Sequence, residues 1–175
     1  MSTAFRATKQ RHPLRIAAAF RLDDDHKDTF WQAQRRRAYR MACMAHEHLT
    51  PDGLFKPTVY NQVVIASGRR TVFIAGQVSI DAAGNLVAPG DFAGQAKQAY
   101  ANLRTALAGA GATAGDVTKI TTYVVGYRPE MLPVIGEART GLFGSVAPPA
   151  STLVGIQALA QPGYLVEVEA IAVID

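Results

Sequence analysis

Residues 164–174 alternate as a β-strand does and are apolar on both sides, which constrains the fold more than any other stretch of this sequence. One side carries Val166, Val168, Ala170 and Ala172, and the other carries Leu165, Ile171 and Val173 together with Glu167 and Glu169. A sheet built around this strand needs cover on both faces. Because a carboxylate at a buried surface is costly unless it is paired or used, the two glutamates mark the second face as a place where function is expected.

The sequence from Tyr60 onward predicts an α+β fold with two helices on one face of a sheet. Two β-branched runs, 63–66 and 71–75, flank residues 67–70 and predict a hairpin. One helix is predicted from Asp91, with its apolar stripe at Phe92, Ala96, Ala99, Leu103, Ala106 and Ala110, and a second from Pro129, with Met131, Ile135, Ala138 and Leu142. Residues 117–125, 151–156 and 164–174 complete the predicted strands. Two helices cover only one face, so we expect self-association to cover the other.

The formal net charge of +4 belongs to one end of the chain. Residues 1–43 contain ten Lys or Arg and four Asp, whereas residues 44–175 contain eight Lys or Arg and ten Asp or Glu. We therefore divide the chain into a basic N-terminal extension, 1–43, and a single domain, 44–175. The mildly acidic domain argues against nucleic-acid binding, which depends on clustered positive charge.

The basic extension leaves several interpretations open. Residues 28–45 have the pattern of a helix, and the arginines are compatible with a transit peptide, a nuclear signal or an arm that contacts nucleic acid. The preferred interpretation is an unstructured tail, or a leader that a start at Met44 would omit.

The positions of cysteine and histidine limit the chemistry. A single cysteine, Cys43, excludes an internal disulfide framework and a multi-cysteine metal site. All four histidines precede residue 50, so a site built on later residues cannot use Ser-His-Asp or Cys-His catalysis or zinc. His46 and His48 have a spacing that a metal could use, but a solvent-exposed pair is the preferred interpretation, and we predict no metal and no cofactor.

No apolar run approaches the roughly 18 residues of a membrane span, and we expect a cytoplasmic protein.

Four blocks of sequence, taken in order, resemble the Rid family, also called RidA/YjgF and formerly endoribonuclease L-PSP. They are residues 60–62 (Tyr-Asn-Gln), 74–78 (Ile-Ala-Gly-Gln-Val), 149–152 (Pro-Ala-Ser-Thr) and 166–173 (Val-Glu-Val-Glu-Ala-Ile-Ala-Val). The resemblance runs from about Leu54 to Asp175 and leaves residues 1–43 without a counterpart.

The resemblance implies a chorismate-mutase-like α+β fold, a homotrimer, and small-molecule pockets at the subunit interfaces. Deaminating members of the family hydrolyse reactive imines and enamines, such as 2-aminoacrylate, to a 2-keto acid and ammonia without a cofactor. In that pattern Glu167 corresponds to the glutamate that positions water and Tyr60 to the pocket tyrosine. The implied catalytic residues are therefore Glu167 and Tyr60, and the implied ligand-binding positions are Gly76, Gln77, Ala75, Gly136, Ala150 and Ser151.

Three positions depart from the family pattern. Ala150 stands where we align the arginine that binds the substrate carboxylate, Ala75 replaces a serine, and Gly136 replaces an asparagine. Arg139, Arg128 or Arg69 are the candidates for a substitute cation. Three hypotheses follow: a Rid-type hydrolase acting on a reactive imine or related metabolite, a non-catalytic trimer that binds a metabolite, and an RNA-acting protein, of which the third is the weakest.

Overall fold

Two sheets and two helices account for the regular structure of residues 46–175, the part of the chain that the computed structural model describes. The strands are β1 (Glu47–Leu49), β2 (Val63–Ile65), β3 (Arg70–Gln77), β4 (Val117–Val125), β5 (Ala150–Ile156) and β6 (Val166–Ile174). The helices are α1 (Phe92–Gly109) and α2 (Leu132–Phe143). The predicted helix at 28–45 and the extension 1–43 lie outside the described residues.

The main sheet has the strand order β3-β6-β4-β5. β6 pairs antiparallel with β3 on one side and with β4 on the other, and β5 pairs parallel with β4. Both helices pack on the face that carries Val166, Val168, Ala170 and Ala172, which are buried. The predicted α+β architecture, with two helices on one face of a sheet, is confirmed.

The predicted hairpin between residues 63–66 and 71–75 is wrong. β2 pairs instead with β1, in a separate two-stranded antiparallel sheet, and β3 pairs with β6. The physical reason is packing: Val72 and Ile74 of β3 pack against the core of the main sheet, so this strand gains more from the buried β6 than from its neighbour in sequence. Residues 66–69 therefore connect the two sheets.

Helix α1 begins where the sequence predicts, because the Asp91 carboxylate accepts a hydrogen bond from the backbone N–H of Ala93 at 3.0 Å. Its buried side includes Ala96, Ala99 and Leu103 as expected, but Leu107 is buried where Ala106 was expected. Helix α2 begins three residues later than predicted, since Pro129–Met131 forms a 3₁₀ turn ahead of it.

The face of the main sheet away from the helices is partly exposed in the single chain. Phe73 of β3 is 77% exposed, and Ile171 and Val173 of β6 are only half-buried. This open face also carries Glu167 and Glu169, as the alternation of the sequence predicts. No helix in residues 46–175 is long and apolar enough to cross a membrane.

Candidate functional site

Glu167 lies against the backbone of Gly76 where β3 and β6 meet. A methyl group added to Gly76 would overlap the Glu167 carboxyl group and would come within 2.8 Å of its Cγ. The pairing of β3 with β6 shifts register between Ile74 and Gln77, so the strand is irregular at this point. The structure therefore brings two predicted site residues together, and the missing side chain of Gly76 leaves the space that the carboxyl group fills.

The surroundings of Glu167 favour its protonated form. Burial raises the pKa of Glu167, and the nearby Glu169 carboxylate raises it further. Glu169 itself accepts a hydrogen bond from the Tyr123 hydroxyl at 3.1 Å, and this interaction raises the pKa of Tyr123. A glutamate with a raised pKa is suited to accept a proton from water near neutral pH.

Gln77 and Ala75 are joined by a local hydrogen bond. The Gln77 side-chain amide donates to the backbone oxygen of Ala75 at 3.0 Å, next to Gly76. This bond fixes the irregular end of β3 and occupies one donor of the amide.

A backbone bridge joins Asn61, the residue after Tyr60, to Ala150. Asn61 pairs in parallel with Ala150, its N–H donates to the Pro149 oxygen at 3.2 Å, and its side-chain amide donates to the Pro148 oxygen at 2.6 Å. Tyr60 precedes Asn61 and is half-buried. These bonds fix the segment around Tyr60 beside the start of β5.

Neighbouring residues of β5 face opposite sides of the sheet. Ala150 pairs with Lys119 and so lies on the open face, whereas Ser151 pairs with the buried Ile120 and lies on the helix face. The Lys119 ammonium group donates to the hydroxyl of Thr152, and burial lowers its pKa, with Glu169 opposing the change. Lys119 is thus a cation beside Ala150 that the sequence analysis missed, although the alternation of β4 placed it on this face.

Gly136 lines a cavity of about 680 Å³. The cavity lies between α2 and two segments, one at Thr58 and Val59 and the other at Val146 and Pro148. These segments precede Tyr60 and Ala150 in sequence, but among the predicted site positions only Gly136 is itself part of the cavity wall. Its other wall residues are mostly apolar, with Arg139 as the charged member among the residues that line it.

Of the three arginines considered as substitutes, Arg139 is the one that lines this cavity. Its Nη2 atom is buried and has no hydrogen-bond partner among the described residues, and its guanidinium group lies 5.7 Å from the centre of the Phe143 ring. Arg69 and Arg128 are exposed.

The predicted residues form two clusters that are separate within one chain. Glu167 pairs with Tyr123 of β4, and Ala150 pairs with Lys119, four residues earlier on the same strand. With about 3.3 Å per residue and about 4.8 Å between strands, the two positions are roughly 16 Å apart. One chain therefore holds Glu167 and Gly76 in one place and the segments of Tyr60 and Ala150 in another, with Gly136 in the cavity beside α2.

The two histidines considered for metal binding are used in hydrogen bonds instead. His46 Nε2 lies 3.2 Å from the Asp116 backbone oxygen, and His48 Nδ1 lies 3.2 Å from the Asn61 amide nitrogen. Within residues 46–175, no group of three or more His, Cys, Asp or Glu side chains is arranged to hold a metal ion.

Residues 55–174 match the model of the family described as endoribonuclease L-PSP. The chain therefore belongs to this family, which the sequence blocks indicated. Among named relatives, a 2-iminobutanoate/2-iminopropanoate deaminase of Mus musculus is 36% identical over 114 residues, covering 65% of this chain and 80% of the mouse protein.

Solved structures of this family also resemble the chain. YyfB of Yersinia pestis, described as a protein of unknown function of the Rid family, is 36% identical with a TM-score of 0.70, covering 74% of this chain and 99% of YyfB. Escherichia coli TdcF, solved with bound serine, is 27% identical with a TM-score of 0.52, covering 69% of this chain and 91% of TdcF.

Proposed function

We propose that this protein is a cyclic homotrimer that hydrolyses a small reactive imine or enamine of an amino acid, in pockets formed between its subunits. The substrate class is proposed from relatives that are named as 2-iminobutanoate/2-iminopropanoate deaminases. The observation that carries the proposal is the position of Glu167, whose carboxyl group occupies the space over Gly76 on the open sheet face.

The arrangement of the two clusters supports a ring of subunits. A cyclic trimer joins two different patches of each chain, one from each neighbour. The Glu167 cluster lies where β6 meets β3, one edge strand of the main sheet, and the Tyr60 cluster lies at the start of β5, the other edge strand. Joining these edges would complete one pocket per interface and would cover apolar side chains such as Phe73.

Glu167 is suited to the hydrolysis step. Its carboxylate accepts a proton from a water molecule as the water oxygen bonds to the imine carbon, and it returns this proton to the nitrogen to give a carbinolamine. The same carboxylate then moves the hydroxyl proton of the carbinolamine to the nitrogen, so that the C–N bond breaks, the carbonyl forms and ammonia leaves. The products are one 2-keto acid and one ammonia for each imine and water consumed. Tyr60 is assigned to the wall of the pocket, where it positions the substrate.

The test measures ammonia release from 2-aminoacrylate that is generated in the assay by a pyridoxal-phosphate dehydratase. We expect wild-type protein to accelerate the release, and Glu167→Gln to reduce the acceleration by about 10²-fold or more because an amide cannot accept the proton. Glu47→Gln, an exposed change on β1, is the matched control and should keep full activity. Wild-type protein that gives no acceleration over the buffer rate would refute the proposal.

A second function, binding of a metabolite without catalysis, is favoured by one observation. The segment from Pro148 to Thr152 contains no arginine, so a cation for a substrate carboxylate is absent from the place where the family resemblance puts it. Binding of a 2-keto acid by wild-type protein, without any acceleration of ammonia release, would support this alternative.

A further inference from the structure

Tyr123 reaches diagonally across the open face of the main sheet. In the pairing of β4 with β6, Tyr123 stands opposite Glu167, and Thr121 stands opposite Glu169. The Tyr123 hydroxyl nevertheless donates a hydrogen bond to Glu169 Oε1 at 3.1 Å. Positions on a diagonal between two strands are within reach of a long aromatic side chain. The hydrogen bond of Tyr123 therefore goes to Glu169, the neighbour on this face of the residue opposite it.

Glu169 lies close enough to Glu167 to affect its protonation. The two residues are two positions apart on one side of β6, which puts their Cα atoms roughly 7 Å apart. Burial raises the pKa of Glu167, and the charge of Glu169 raises it further. A carboxylate held at this place makes Glu167 a stronger base, whereas a carboxylate that turns away has less effect because the interaction falls with distance.

Lys119 offers the Glu169 carboxylate a competing position. Lys119 stands opposite Ile171 and Tyr123 stands opposite Glu167, so the two side chains approach Glu169 from opposite directions along the strand. Burial lowers the pKa of Lys119, and the Glu169 carboxylate opposes this change because the two groups attract each other. Without the bond from Tyr123, the carboxylate is free to turn toward Lys119.

The other strands around Glu169 add no charge. β3 places Ala75 and Gly76 beside Glu169, where its pairing with β6 shifts register. β5 places Thr152 on the far side of β4. Within residues 46–175, the titratable and charged groups that face Glu169 are Tyr123 and Lys119 from β4 and Glu167 from β6.

We propose that Tyr123 is a positioning residue: its hydroxyl holds the Glu169 carboxylate beside Glu167 while Glu167 accepts the proton of the attacking water. Tyr123 makes this contribution through Glu169 and needs no contact with the substrate. The effect on catalysis rests on the proposed function, whereas the effect on the protonation of Glu167 is measurable without any substrate. Titration and catalysis are therefore independent readouts.

The first test follows the protonation of Glu167 by carboxyl NMR on the full chain, labelled isotopically at its glutamates. Glu167→Gln assigns the signal of Glu167 among the five glutamates of the chain. We expect Tyr123→Phe to move the Glu167 titration to lower pH, because the released Glu169 carboxylate turns away. Glu169→Gln keeps an oxygen that accepts the Tyr123 hydroxyl but removes the charge, so its shift should have the same direction and be at least as large.

A double variant tests whether Tyr123 acts through Glu169. Tyr123→Phe should cause no further shift in a Glu169→Gln background, since the charge that it positions is already gone. Tyr127→Phe, the same chemical change at a tyrosine packed against the core, is the matched control and should titrate as the wild type does. An unchanged Glu167 titration in folded Tyr123→Phe or Glu169→Gln protein, or shifts that add in the double variant, would overturn the proposal.

The acidic limb of the pH profile of ammonia release provides the second readout. Tyr123→Phe and Glu169→Gln should move this limb to lower pH and reduce the plateau rate by about two- to fivefold, because Glu167 becomes a weaker base. Damage to the fold would lower the rate without moving the limb. A limb that is the same in Tyr123→Phe and the wild type would overturn the positioning role and leave the deaminase proposal standing. The expected titration shifts in a protein that releases no ammonia would refute the deaminase proposal and support the effect of Tyr123 on Glu167.

Discussion

Substitution of Gly76 by alanine should disable Glu167 without unfolding the protein. The φ angle of Gly76 is not among the positive values found for the glycines of the described residues, so its backbone accepts alanine. The new Cβ would overlap the Glu167 carboxyl group, which is the mobile end of a side chain and can rotate away. We therefore expect the carboxyl group to leave the space over residue 76.

The expected change in stability is small because two contributions oppose each other. Moving Glu167 into a less favourable rotamer costs about 0.5–1.5 kcal/mol. Replacing a strand glycine by alanine contributes about 0.5–1 kcal/mol of stability in the opposite direction. The net change in the free energy of unfolding should be within about 1 kcal/mol, whereas displacement of a catalytic group by about 1 Å can cost about 10²-fold in rate.

The assay is ammonia release from 2-aminoacrylate, combined with denaturant unfolding. In a Glu167→Ala background the overlap is gone, so Gly76→Ala should there stabilise the protein by about 0.5–1 kcal/mol. Gly109→Ala, at a helical glycine with open space around its Cα, is the matched control for a glycine change and should leave ammonia release at the wild-type rate. A Gly76→Ala protein with wild-type activity would refute the assigned role of the Gly76 and Glu167 contact.

Two further predictions concern pH and assembly. Because burial and Glu169 raise the pKa of Glu167, the acidic limb of the pH–rate profile should lie above the usual glutamate range and should be absent from Glu167→Gln. An acidic limb in the ordinary glutamate range would contradict the reasoning. The same raised pKa means that the stability contributed by protonated Glu167 is present below its unfolded pKa and is lost as pH rises through its folded pKa, so Glu167→Gln should flatten this part of the curve of stability against pH. Phe73→Glu places a charge on the exposed apolar face, so sedimentation should show loss of the trimer and a smaller species. A trimer that persists would show that this face is not the interface.

The features that were predictable from the sequence are those that depend on local periodicity. The cap at Asp91, the buried Ala96, Ala99 and Leu103, and the two faces of β6 follow from spacing alone. Strand pairing was not predictable in the same way. β2 and β3 are adjacent in sequence but belong to different sheets, because β2 pairs with β1 and β3 pairs with the distant β6.

The candidate site likewise contains residues that the sequence identified and residues that only the fold identifies. The family pattern identified Glu167 and Gly76, and the structure places them in contact. Arg139 was one of three arginines that sequence could not rank, since only the fold shows which guanidinium group is buried in a cavity. Lys119 was overlooked because a lysine in a strand is ordinarily interpreted as exposed, and the division of the chain into 1–43 and 44–175 stays a prediction.

The central position of β6 affects when the sheet can form during synthesis. β6 follows β3, β4 and β5 in sequence, yet it lies between β3 and β4 and bonds to both. Until the ribosome has released residues 166–174, β3 and β4 have no partner at the centre of the sheet, and α1 and α2 have no complete surface to pack on. Long-range pairing of this kind delays folding and leaves apolar strands exposed in the nascent chain. A nascent chain therefore carries an incomplete sheet until residues 166–174 emerge from the ribosome.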